Sequence, residues 1–122
     1  GSWLATNGTL SSTLSVTGAT TLTGKLTANG GRQSAYVAKT GTYTIVAATD
    51  YLINCTTGTF TVTLPTAASI AGQEFIIKNS GTGVITIATT SSQTIDGALT
   101  ALLPVQYQSI SVTSDGANWI VT

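Results

Sequence analysis

A repeat with a period of twelve residues constrains this chain more than any other feature. Thr9-Leu10-Ser11-Ser12-Thr13-Leu14-Ser15-Val16-Thr17-Gly18 aligns with Thr21-Leu22-Thr23-Gly24-Lys25-Leu26-Thr27-Ala28-Asn29-Gly30. Leu10, Leu14, Val16, Leu22, Leu26 and Ala28 fall on even numbers, and Thr9, Thr13, Ser15, Thr17, Thr21, Thr23 and Thr27 on odd ones. Period-two alternation of an apolar and a hydroxyl face is the pattern of a β-strand. Two such short strands cannot bury that apolar face by themselves. Nothing downstream repeats the pattern, so the simplest partners are other copies of the same chain. Leu10, Leu14, Val16, Leu22 and Leu26 are therefore expected at an interface between copies.

A helix would also place Leu10 with Leu14 and Leu22 with Leu26 on one face. β-branched Thr dominates the stretch, however, and Gly18, Gly24, Gly30 and Gly31 interrupt it, so the helix is rejected. Twelve also matches neither the seven-residue nor the eleven-residue repeat of supercoiled helices.

Hydrophobic residues make up 42% of the 122-residue chain and charged residues only 7%. Ordinary soluble domains carry roughly a quarter charged residues. About a fifth of the chain is Thr, and there is no His and no Met. High apolarity, with no run long enough to span a membrane, points again to surface buried between subunits. No signal peptide is visible; Gly1-Ser2 reads as a cloning remnant and a start at Trp3 as a fragment boundary. Lys25, Arg32 and Lys39 precede residue 40, whereas after it Lys78 stands against Asp50, Glu74, Asp96 and Asp115. The net charge is zero and no basic patch exists, which argues against nucleic-acid binding. Cys55, the single cysteine, cannot close an intrachain disulfide and reads as a small buried apolar residue.

Gly30-Gly31 ends the repeats, so the division expected is 1–31, a repetitive β stalk, and 32–122, a C-terminal β domain. In the latter, short strands at about ten-residue spacing are cut by turn residues. Tyr43 to Val46, Tyr51 to Cys55, Thr59 to Leu64, Gln73 to Lys78, Val84 to Ile87, Gln106 to Thr113 and Asn118 to Val121 read as strands. Pro65 closes one of them. Residues 66–71 are the one place that suits a short helical turn. The strands Gln73–Lys78 and Val84–Ile87, joined by Asn79-Ser80-Gly81-Thr82-Gly83, are expected to form a hairpin. Ser114-Asp115-Gly116-Ala117 signals another. The fold class expected is all-β: a jelly-roll-like β-sandwich following the stalk.

Catalytic constellations are missing. Without His there is no Ser-His or Cys-His pair. Of the four carboxylates, Asp96 and Asp115 sit in Asp-Gly turns, Asp50 reads as a turn residue and Glu74 opens a strand. No metal or cofactor is called for, since the chain has no His, one Cys and no tight acidic cluster. Tyr36, Tyr43, Tyr51, Tyr107 and Trp119 remain as rings that stack on sugars when exposed. Core packing at strand positions is the competing role for each, most clearly for Trp119; Tyr36, on the connector, is the least committed. Asn7-Gly8-Thr9 and Asn54-Cys55-Thr56 match the N-glycosylation pattern, a short match common by chance.

The run from Leu14-Ser15-Val16-Thr17-Gly18 through Leu22-Thr23-Gly24-Lys25-Leu26 to Gly30 resembles the stalk repeats in tail fibres of tailed bacteriophages. Thr61-Val62-Thr63-Leu64-Pro65-Thr66-Ala67, Ser92-Gln93-Thr94-Ile95-Asp96-Gly97, and Gln106-Tyr107-Gln108-Ser109-Ile110 with Ser114-Asp115-Gly116-Ala117-Asn118-Trp119 resemble their C-terminal tip domains. The resemblance covers most of the chain from residue 9 onward. It implies an intertwined homotrimer in the virion, attached through its tips to a bacterial surface polysaccharide or outer-membrane receptor. No receptor motif carries over.

The reading of function is therefore host attachment by a trimeric tip, without enzymatic activity and without membrane insertion. Tyr36, Tyr43, Tyr51 and Tyr107 are the candidate receptor contacts. The alternative is a structural trimerisation or stabilisation module of a fibre with no receptor site of its own. A monomeric bacterial adhesin also suits an all-β chain, but it would leave the Leu stripe wet.

Overall fold

Thr, Ile and Val are stiff at χ1 and pack well on a pleated surface, so the segments they dominate extend rather than coil. In the computed structural model, which describes residues 11–122, every regular element is a strand and no helix forms among the described residues. The chain divides into two compact units, Gly1–Arg32 and Gln33–Thr122.

Within the first unit, residues 11–31 form no ladder. The backbone bends at Ser11-Ser12, Thr17-Gly18 and Thr23-Gly24 and turns at Asn29-Gly30, once every six residues. The twelve-residue repeat is thus a pair of six-residue steps. A strand's donors and acceptors need a neighbour about 5 Å away, and the partners expected for this segment are other copies of the chain. Leu14, Val16, Leu22 and Leu26 stay between 51% and 68% exposed. Leu10 lies outside the described residues.

The second unit contains β1 (Tyr36–Lys39), β2 (Tyr43–Thr44), β3 (Leu52–Cys55), β4 (Phe60–Thr63), β5 (Glu74–Asn79), β6 (Ile85–Ala88), β7 (Thr100–Leu103), β8 (Ser109–Ser114) and β9 (Trp119–Val121). A five-stranded sheet has the order β1-β3-β5-β8-β9 and a four-stranded sheet the order β2-β4-β6-β7. From β1 to β6 successive strands alternate between the sheets. The pairs β1-β3, β3-β5, β2-β4 and β4-β6 are parallel, and the remaining pairs are antiparallel. The chain therefore winds three times around one core before β7, β8 and β9 close it. Each winding is bonded to the next at its corners. Thr56 N–H donates to Lys39 O at 2.9 Å and Ser80 N–H to Cys55 O at 2.8 Å; on the other sheet Ile45 N–H donates to Thr63 O at 2.9 Å and Leu64 N–H to Ala88 O at 2.8 Å.

This winding corrects one expectation. β5 and β6 do not form a hairpin; they lie in different sheets, and residues 80–84 carry the chain across the core. The hairpin at Asp115-Gly116 does form, between β8 and β9. Its turn is held by Asp115 Oδ1, which accepts from Ala117 N–H at 2.9 Å and Asn118 N–H at 2.7 Å. Residues 66–72 contain turns rather than helix, with Ser69 at φ 67° and Gly72 at φ 90°.

Alternation decides what is inside. Along β5, Phe75, Ile77 and Asn79 are buried while Glu74, Ile76 and Lys78 face outward. The core joins both sheets: Ile53, Cys55, Phe75, Ile77, Val112 and Trp119 from one, Val62, Ile85, Ile87 and Leu103 from the other. Trp119 packs against Phe75 at a centroid distance of 5.7 Å. Its Nε1 is buried without a hydrogen-bond partner, at a cost of about 1–3 kcal/mol, which the ring's burial outweighs.

Two features hold the windings in register. Buried Asn79 donates from Nδ2 to Gly83 O and Leu103 O, both at 2.8 Å, and accepts from Gly81 N–H at 3.1 Å. Gly83 lies directly on the previous winding, where a Cβ would fall 2.2 Å from Gly58 O. Asn79→Ala leaves three backbone groups without that partner, and an expected loss of about 3 kcal/mol is measurable by urea unfolding of the whole chain. Gly83→Ala should lose about 1–3 kcal/mol through backbone displacement. Gly41→Ala, with nothing within 4 Å, should change little. Equal midpoints for Gly83→Ala and Gly41→Ala would show that the windings are not in close contact at this corner.

Candidate functional site

The parallel pairing of β1, β3 and β5 sets outward residues side by side. One row across the first sheet is Tyr36, Leu52, Ile76 and Ser111; the next is Ala38, Asn54, Lys78 and Ser109. Tyr36 is 61% exposed, and its hydroxyl accepts a hydrogen bond from Asn54 Nδ2 at 3.0 Å. Asn54 Oδ1 in turn accepts from Ser80 Oγ at 2.6 Å. Lys78, the register partner of Asn54, donates from Nζ to Tyr107 O and lies 5.8 Å from the centroid of the Tyr107 ring.

Tyr107 is 65% exposed and sits at φ 71°. A bulky side chain in this left-handed region costs on the order of 1 kcal/mol. The conformation is held by its N–H, which donates to Asn79 O at 2.6 Å, and by Gln106 Nε2, which donates to Ser80 O at 3.1 Å. Strained backbone carrying an exposed aromatic is a reason to look for function.

The four tyrosines separate into two kinds. Tyr36 and Tyr107 expose their rings beside the Asn54–Lys78 pair. Tyr43 and Tyr51 are half-buried, and their hydroxyls are committed to carboxylates: Tyr43 to Asp50 Oδ2 at 2.5 Å and Tyr51 to Glu74 Oε1 at 2.7 Å. Lys39 Nζ lies 3.9 Å from the centroid of the Tyr43 ring. The hydrogen bond to Asp50, then burial, then the carboxylate's charge push the Tyr43 hydroxyl up to about 12.

The carboxylates take structural contacts. Asp50 also accepts from Val46 N–H at 2.8 Å, Glu74 Oε2 from Ser111 Oγ at 3.0 Å, and Asp96 Oδ1 from Val121 N–H at 3.2 Å. The N–H groups of Asn118 and then Ala117 hold the Asp115 carboxyl below its usual range. Among the described residues no group of three His, Cys, Asp or Glu converges as metal ligands, and the described surface carries no concave pocket. Cys55 is buried and free, and burial pushes its thiol up to about 11.

Sequence reasoning missed Asn54 and Lys78. Asn54 stood out only in Asn54-Cys55-Thr56, although its alternation with buried Cys55 was a signal that it faces outward. No family model matches the chain, and no curated protein matches it significantly.

The Tyr43–Asp50 bond yields a pH prediction. The folded value near 12 exceeds the unfolded tyrosine value of about 10, so the unfolded chain loses that proton first. The stabilisation is full below about pH 10 and disappears as the pH rises from about 10 through 12. Phenolate absorbance titrations of wild type and Tyr43→Phe should differ by a component near pH 12. A missing component near pH 10 instead would show that the bond to Asp50 is not made.

Proposed function

We propose that this chain is part of a tail fibre or tailspike of a tailed bacteriophage, and that three copies wind about one axis and present the second unit to the bacterial surface. The observation that carries the proposal is the stripe of Leu14, Val16, Leu22 and Leu26, each more than half exposed on a segment that bends every six residues. Side chains of this size stabilise by roughly 1.5–3 kcal/mol each when fully buried, so the stripe favours assembly strongly. Its period-two placement suits strands contributed by neighbouring copies.

The attachment part of this reading is supported by what the second unit offers. Its rigid two-sheet core holds exposed tyrosines on strands and a strained loop. Three identical weak sites on one axis gain avidity through effective concentration, with no need for a deep pocket. A second reading, a trimerisation module without a receptor site, draws support from the lack of a pocket among the described residues.

Sedimentation of the whole chain should give three times the 12.3 kDa chain mass. Leu22→Asp with Leu26→Asp should reduce it to monomer. A wild-type monomer would overturn the fibre reading. A stable trimer that decorates no bacterial cells would select the trimerisation module.

A further inference from the structure

We infer that the outer face of the first sheet around Tyr36, Asn54, Lys78 and Tyr107 is a binding site for an acidic glycan, one bearing carboxylate or phosphate groups. This rests on the attachment reading and assigns it a location and a ligand chemistry.

The direction of the hydrogen bonds carries the inference. Ser80 Oγ donates to Asn54 Oδ1, and Asn54 Nδ2 donates to the Tyr36 oxygen. The relay orients the Tyr36 hydroxyl, which accepts from Asn54 and still has its own proton to donate outward. Lys78 carries three N–H donors and uses one on Tyr107 O. Its register partners, Asn54 and Ser109, are both neutral, and among the described residues no carboxylate accepts from Lys78. Two donors, one of them a full positive charge, therefore look out from adjoining rows of one face. The ligand they match is rich in acceptors and negatively charged.

The apolar part of the surface suits a sugar. Tyr36 and Tyr107 each expose most of a ring, and an aromatic face packs against the C–H side of a pyranose. Half-exposed Leu52 and Ile76 continue the apolar floor from Tyr36. Tyr36 on β1 and Lys78 on β5 are two strand spacings apart, about 10 Å, roughly the reach of a disaccharide. A flat face of this kind binds one chain end weakly, on the order of millimolar. A trimer raises that by avidity.

The rival occupant is a second copy of this chain. A copy-to-copy contact here would bury the Lys78 ammonium and the Tyr36 proton away from water, which is costly unless the partner supplies acceptors.

The test is binding of the labelled whole chain to an array of purified bacterial capsular polysaccharides and lipopolysaccharides, with uronate-bearing, phosphate-bearing and neutral repeats. Wild type should bind acidic spots in preference to neutral ones. Tyr36→Ala should weaken binding tenfold or more, and Lys78→Gln should remove the preference for acidic repeats. Tyr107→Gly deletes the ring while relieving the positive φ, so it should lose tenfold or more in binding with thermal stability kept or raised. Unchanged binding in Tyr36→Ala and Tyr107→Gly, equal binding of neutral and acidic repeats, or binding to no spot would each overturn the inference. Loss of the native mass in these variants would overturn it too, by making the face a contact between copies. Variants that decorate bacterial cells as well as wild type does would remove this site and leave attachment standing. A wild type that binds neither cells nor spots would remove both.

Discussion

The buried side chain of Asn79 is the interaction on which the second unit depends. Its amide reaches Gly83 O and Leu103 O and accepts from Gly81 N–H, while its backbone oxygen accepts from Tyr107 N–H. One residue thereby ties the end of β5 to the turn that leaves it, to the end of β7 and to the loop before β8. The last two are remote in sequence, and each segment would otherwise place polar backbone groups against the core without this partner. A buried amide that satisfies so many groups stabilises strongly because losing it strands them all.

The same residue links fold to site. Asn79 follows Lys78 on β5, so fixing Asn79 inward fixes Lys78 outward. Its carbonyl holds the Tyr107 N–H and so holds the strained loop that exposes the Tyr107 ring. Ser80, the next residue, bonds Asn54, and Asn54 bonds Tyr36. Stability and surface chemistry are therefore coupled at one corner of the winding, where Gly83 lets two turns of chain touch.

The two units meet the problem of apolar surface differently. The second closes two sheets over its own core. The first, over its described residues, bends every six residues and leaves Leu14, Val16, Leu22 and Leu26 more than half exposed. With charge as scarce as it is here, hydroxyl groups must supply most of the solvation, and Thr supplies them without giving up extended backbone.

Local alternation between i and i+2 was readable from the chain alone. The all-β class, the inward set of Val62, Leu64 and Trp119, the buried Cys55 and the hairpin at Asp115-Gly116 all follow from it or from turn chemistry. Strand partners were not readable. Sixteen residues separate Tyr36 from its partner Leu52 and twenty-four separate Leu52 from Ile76, so the windings leave no fixed period. Asn79 within Asn79-Ser80-Gly81 has the composition of a turn, and only long-range packing turns its side chain inward. Tyr36 and Tyr107 share a face for the same reason. The sequence by itself determined which residues extend and which way they alternate, because those are properties of neighbours along the chain. The tertiary structure decided which strands meet, and hence what surface their outward residues compose, because pairing is settled by burial between segments far apart in sequence.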